Sequence, residues 1–125
     1  MGHKMKFNDY IIVGDFVEYT PENDNPRGFV IRATISEDCD STPEDFDCYS
    51  EEEIKQWYRD NWFFCGIVLS VYKAGVCLSA NAVSLWGVEC NFPDVSNDYL
   101  SDIMKELETT ALQEAEIILQ KLIKG

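Results

Sequence analysis

Apolar and polar positions along the chain fall into segments of two different periods. Residues 29–35, FVIRATI, alternate. Phe29, Ile31, Ala33 and Ile35 share one face, while Val30, Arg32 and Thr34 share the other, which predicts a half-buried strand. Residues 7–19, FNDYIIVGDFVEY, are rich in β-formers (Ile11, Ile12, Val13, Phe16 and Val17), with Gly14-Asp15 predicting a bulge or a tight turn between two short strands. TPENDNPRG lies between these segments and carries prolines, asparagines and a glycine, so it reads as a loop. Residues 10–35 together read as a long-looped hairpin.

The densest apolar block is Trp62–Glu89, WFFCGIVLSVYKAGVCLSANAVSLWGVE, whose only charged residues are Lys73 and Glu89. Its continuous first part, Trp62–Tyr72, predicts a central strand covered on both faces. Lys73-Ala74-Gly75 supplies a turn, and Val76–Leu78 begins a return strand that Ser79-Ala80-Asn81 weakens into a bend. Ser84–Glu89 then forms the next strand. Gly66 and Gly87 mark bulges or places where a large ring packs over bare backbone, with Trp62 and Trp86 as candidate rings.

Two stretches have helical period. Ser50 followed by Glu53 forms a capping box, and Glu51, Glu52 and Glu53 suit the positive end of a helix running to about Asp60 with Ile54, Trp57 and Tyr58 inward. From Asp98 to about Lys124, Leu100, Ile103, Met104, Leu107, Ala111, Ala115, Ile118, Leu119 and Leu122 recur at threes and fours. Ser96 or Asn97 would cap this helix, and Lys121, Lys124 and Gly125 suit its end. The predicted fold is a single α+β domain over residues 1–125, with residues 1–6 a frayed tail. Its order is β-β-α-β-β-β-α, a mostly antiparallel sheet of four or five strands with two helices packed on one face.

Charge changes the picture most. Twenty-three acids against ten bases give a formal net charge of −13. That disfavours direct contact with nucleic acid or an anionic membrane, and it favours a basic protein surface as partner. No apolar run is long enough for a membrane helix and no secretory leader is visible at the N-terminus, so the expected location is cytoplasmic. The five cysteines, Cys39, Cys48, Cys65, Cys77 and Cys90, have no metal-ligand spacing, and the only histidine is His3. They are expected to be reduced and mostly buried, a Cys39–Cys48 bridge being disfavoured in a reducing compartment.

From Glu37 to Glu53 nine of seventeen residues are acidic and none is basic. A calcium loop beginning at Asp38 and Asp40 fails, because Pro43 stands where glycine is needed and Tyr49 where glutamate is needed. Neither a phosphate-cradling glycine loop nor a nucleophile elbow is present, so no metal, cofactor or catalytic residue is expected. Carboxylates repeated along this run instead suit imitation of nucleic-acid phosphates. The candidate partner-binding residues are Glu37, Asp38, Asp40, Glu44, Asp45 and Asp47, with Glu51 and Glu52 in support.

The W-x-F-x-G-I-V core beginning at Trp62, the L-W-G-V-E ending at Glu89 and the following Tyr99-Leu100 step into a helix resemble a pattern in small acidic proteins encoded by phages and other mobile elements. The resemblance spans about residues 51–119. It implies a genomic setting in which such proteins often inhibit host defence or nucleic-acid machinery, and it brings no catalytic residues. The expected function is therefore that of a non-enzymatic inhibitor, anti-CRISPR-like, blocking a basic groove on a host nucleic-acid-binding protein or complex. Two other readings are an accessory protein whose acidity serves only solubility, and a small-molecule binder or enzyme with a pocket between the first helix and the sheet. A homodimer is compatible with all of them.

Overall fold

The alternation in residues 29–35 does form a strand, the second of four. The computed structural model describes residues 7–22 and 24–124, so the expected frayed tail, its His3 and the terminal Gly125 lie outside the described residues. Strands β1 (Phe16–Tyr19), β2 (Val30–Glu37), β3 (Phe63–Lys73) and β4 (Val76–Cys90) make one antiparallel sheet in the order β1-β2-β3-β4. Helix α1 (Glu51–Tyr58) sits between β2 and β3, and α2 (Tyr99–Lys124) follows β4. The order is thus β-β-α-β-β-α.

The missing fifth strand has a local cause. Ser79-Ala80-Asn81 bends β4 without ending it. Leu69 pairs with Val83 and Val71 with Ser79, so two steps along β3 span four along β4, and the surplus residues bulge out opposite Ser70. The Ser70 hydroxyl donates to the Ala80 carbonyl at 2.8 Å and keeps the bulge attached. Further register shifts fall between Val71 and Tyr72 and between Cys65 and Ile67; the latter lies opposite Gly87, whose φ of +73° suits a glycine.

Residues 7–13 also depart from expectation. Instead of a strand they form an irregular segment, with Phe7 and Ile11 in the core. Gly14-Asp15 does end it in a tight turn, the Asp15 N–H donating to the Ile12 carbonyl at 3.0 Å. Asparagine side chains take the place a neighbouring strand would have. Asn91 accepts from the Ile11 N–H at 2.8 Å and donates to the Ile11 carbonyl at 2.7 Å. Asn97, buried, donates to the Asp9 carbonyl and to Asn91 Oδ1 while accepting from the Asn91 N–H. Every backbone group these side chains satisfy is one a sheet ladder is not needed for.

One face of the sheet is sealed by α2. Val17, Ile31, Ala33, Ile35, Ile67, Leu69 and Val71 are fully buried, as are Leu100, Met104, Ala111 and Ala115 of the helix. Leu112 joins that stripe, whereas Leu122 is 65% exposed because the helix, about 39 Å long at ~1.5 Å per residue, outruns its cover. The Tyr19 hydroxyl donates to Glu108 at 2.6 Å, and Arg27 pairs bidentately with Glu116 at 3.0 and 3.1 Å. α1 does not join α2. It has no buried residue, and Tyr58 of its expected inward stripe is 63% exposed. A helix of eight residues presents too short a stripe to cover a sheet, and α1 is fastened instead by Trp62, whose Nε1 donates to the Glu53 carbonyl.

The second face of β3 is therefore not helix-covered. Arg32 lies there between the rings of Phe16 and Tyr72, its guanidinium carbon 4.6 and 5.1 Å from their centroids, and it pairs with Glu18 at 2.8 Å. Trp86 lies flat over Gly66, so close that a Cβ built there would be 2.2 Å from the ring. The expected ring over bare backbone is thus Trp86 on Gly66. Gly66→Ala should cost about 1–2 kcal/mol in denaturant unfolding, since the half-exposed ring must lift away. In a Trp86→Ala background the same change should be nearly neutral, and an equal loss in both backgrounds would refute the packing argument.

Candidate functional site

The acidic segment, residues 37–53, leaves β2 at its last residue and returns through α1. Three local devices give it shape. Asp38 Oδ1 accepts from the Asp40 N–H, while Oδ2 accepts from the Ser41 hydroxyl and from the Gly87 N–H at 2.8 Å, which ties the segment to β4. Partial burial alone would raise the Asp38 carboxyl, but these donors outweigh it and hold the group below the usual carboxylate range. Asp45 accepts from the Thr42 N–H and hydroxyl around a 3-10 turn, Pro43–Asp45. Ser50 and Glu53 form the expected capping box at the start of α1.

Beneath these devices lies a cluster of rings. Trp62, fully buried, has its centroid 5.2 Å from Tyr49, 5.1 Å from Phe64 and 4.8 Å from Phe92, and Phe46 adds to it at 5.7 Å from Phe64. Trp62 Nε1 donates to the Glu53 carbonyl at 2.8 Å, fastening α1 to the cluster. The Tyr49 hydroxyl donates to Glu89 on β4, and the Tyr58 hydroxyl to Glu44. Tyr49 and Trp62 lie within four residues of α1 in the chain. Phe46 and Phe92 do not: Phe46 is an isolated ring in an acidic loop and Phe92 lies far along the chain.

Burial raises the Tyr49 hydroxyl first and its bond to Glu89 raises it further; Tyr19 and Tyr99 are likewise raised, chiefly by burial. A raised folded-state value stabilises the fold fully below the unfolded phenol's value, about 10, and that contribution disappears as pH climbs beyond it. Stability measured from pH 8 to 12 should therefore fall above about pH 10, and Tyr49→Phe should flatten part of the fall. A pH-independent plateau up to pH 12 would be incompatible with these contacts.

The eight candidate carboxylates separate into two groups. Asp38, Asp45, Glu44 and Glu52 are engaged locally, Glu52 accepting from Gln56 at 2.8 Å. Glu44, Asp45 and Glu52 are nonetheless exposed, as are the second group, Glu37, Asp40, Asp47 and Glu51. Their field reaches Cys39, whose thiol is pushed up first by Glu37, then by burial and Asp40. Beside the acids lies a concavity of about 720 Å³ whose lining includes Glu37, Asp40, Phe46 and Trp86, the two rings being 44% and 48% exposed. Trp86 packs over Gly66, and its exposure makes it a contact candidate as well. A second cleft, about 380 Å³, has Asp38, Trp57, Tyr58 and Trp62 in its wall.

Cysteine placement corrects one expectation: Cys39, Cys48 and Cys77 are exposed, and only Cys65 and Cys90 are buried. Among the described residues no group of three or more His, Cys, Asp or Glu side chains could hold a metal ion. No helix of the described residues is long and apolar enough to cross a membrane. No protein-family model matches the chain, and no curated protein or solved structure matches it either.

Proposed function

We propose that the protein acts by binding, presenting its acidic segment to a basic groove on a nucleic-acid-binding protein and occluding that groove. One observation carries the reading: exposed carboxylates at Glu37, Asp40, Asp47 and Glu51 stand on a segment fixed from beneath by the Trp62 cluster and from the side by Asp38. A preordered array of anions loses little conformational entropy on docking, and opposite-charge steering speeds its encounter with a cationic surface. Phe46 and Trp86 at the border of the array offer the ring contacts that usually dominate interface energy. The resemblance to phage and mobile-element proteins supports an inhibitor of host defence as the setting for such a contact.

Asp38 and Asp45 are poor positions for testing this, because reversing them would damage the segment itself. Asp40→Lys, Asp47→Lys and Glu51→Lys combined should leave the melting temperature within a few degrees and abolish capture of a nucleic-acid-binding complex from host lysate. Capture by the unaltered protein should be strong at about 50 mM salt and lost near 500 mM, a range over which exposed charges become heavily screened. Capture that survives both salt and charge reversal would defeat the proposal and turn attention to the cleft beside α1.

A further inference from the structure

Cys65 and Cys90 are both fully buried on the α2 side of the sheet, on neighbouring strands. Cys65 faces Val88 across the β3–β4 ladder and Cys90 faces Phe63, so the two meet on a diagonal with their Sγ atoms 2.7 Å apart. That is only about 0.7 Å beyond a disulfide bond length. The remaining cysteines, Cys39, Cys48 and Cys77, are exposed. Two thiols held this close in a dry core are either a wasted pair of weak donors or the two halves of a cross-link.

We infer that Cys65 and Cys90 are a disulfide site, closed by exchange with a small-molecule disulfide such as glutathione disulfide and opened again by glutathione. The balance is simple. The thiolate of one cysteine attacks glutathione disulfide, releasing one glutathione and leaving a mixed disulfide. The second cysteine loses its proton and attacks the protein sulfur of that bond, releasing the second glutathione. Two protein S–H bonds are lost, one S–S bond forms, and the two electrons end on two molecules of glutathione. Both sulfurs are sealed in the folded protein, and the Cys90 thiol is held protonated by its contact with Cys65 and by burial. Exchange therefore belongs to the folding chain or to a local opening of the β4 end, since the thiolate is the reacting form. Once closed, the bond staples β3 to β4 next to Glu89 and Phe64, both of which hold Tyr49 and thus the acidic segment.

The test uses the full chain carrying Cys39→Ser, Cys48→Ser and Cys77→Ser, three exposed changes that leave only the buried pair. It is refolded from denaturant in glutathione buffers of increasing oxidised fraction, quenched in acid, denatured, treated with N-ethylmaleimide and weighed. The expected product in oxidising buffer has lost two hydrogens and takes up no maleimide. Its melting temperature should exceed that of the reduced form by roughly 10 °C, as closure of a loop of this length predicts. Two maleimides added at every buffer ratio would overturn the site, and so would glutathione adducts without an internal link. A linked product that melts below the reduced form would also overturn it, because the bond would then be an artefact of strained geometry.

Discussion

Trp62→Ala is expected to lower stability by about 3–5 kcal/mol, the range for deleting a fully buried large ring. The loss should exceed that of any other single ring in the cluster, because Trp62 is the largest of them, is fully buried and also donates to the Glu53 carbonyl. It should also be uneven across the chain. The sheet and α2 bury a separate core that Trp62 does not enter, whereas residues 37–53 rest directly on it. Hydrogen exchange of the variant should therefore show strong deprotection of α1 and the acidic segment, with milder change in β2 and β3. Uniform deprotection would mean that the cluster and the main core unfold as one unit. Trp62→Phe, which keeps a ring but loses the indole N–H, should recover most of the packing and lose only the bond to the Glu53 carbonyl.

Asn97→Ala should cost about 2–3 kcal/mol, more than an ordinary loss of one hydrogen bond. Its side chain serves three groups: the Asp9 carbonyl, Asn91 Oδ1 and the Asn91 N–H. Asn97 is only 5% exposed, so water cannot readily replace it. Removing it also frees Asn91, which in turn holds both backbone groups of Ile11. Denaturant unfolding measures the loss. Limited proteolysis should locate it, with new cleavage near residues 8–13 and none in β3. If Asn97→Ala proves as stable as the unaltered protein, the asparagine pair is ornamental, and Phe7 and Ile11 alone hold the N-terminal segment down.

The two predictions also show what the sequence makes legible. Period-two alternation locates β2, and threes and fours locate α2, since burial on one side of a regular element leaves a repeating trace. The capping box at Ser50 and Glu53 and the ring over Gly66 are legible for the same reason: each is a local steric or hydrogen-bonding fact. The Asn91–Asn97 clamp leaves no such trace. Asparagines in a loop look alike whether they face water or satisfy a backbone eighty residues away. The single strand β4 is hidden in a similar way, because Ser79-Ala80-Asn81 has the composition of a break and only Ser70, on the facing strand, converts it to a bulge. For the acidic segment, composition shows the charge but not its division of labour. Nothing in the letters separates Asp38, tied to Gly87, from Asp40 two residues on, which is exposed.

The bulges of β4 have a further meaning. This strand is the long outer member of the sheet, fifteen residues with one charged side chain, and a straight strand of that kind is a template on which another chain can grow. Three breaks in its register interrupt the even spacing that a recruited strand would have to follow. Only short runs of it can be matched at a time. The irregularity that makes β4 hard to read thus also makes this nearly uncharged border a poor template for an added strand.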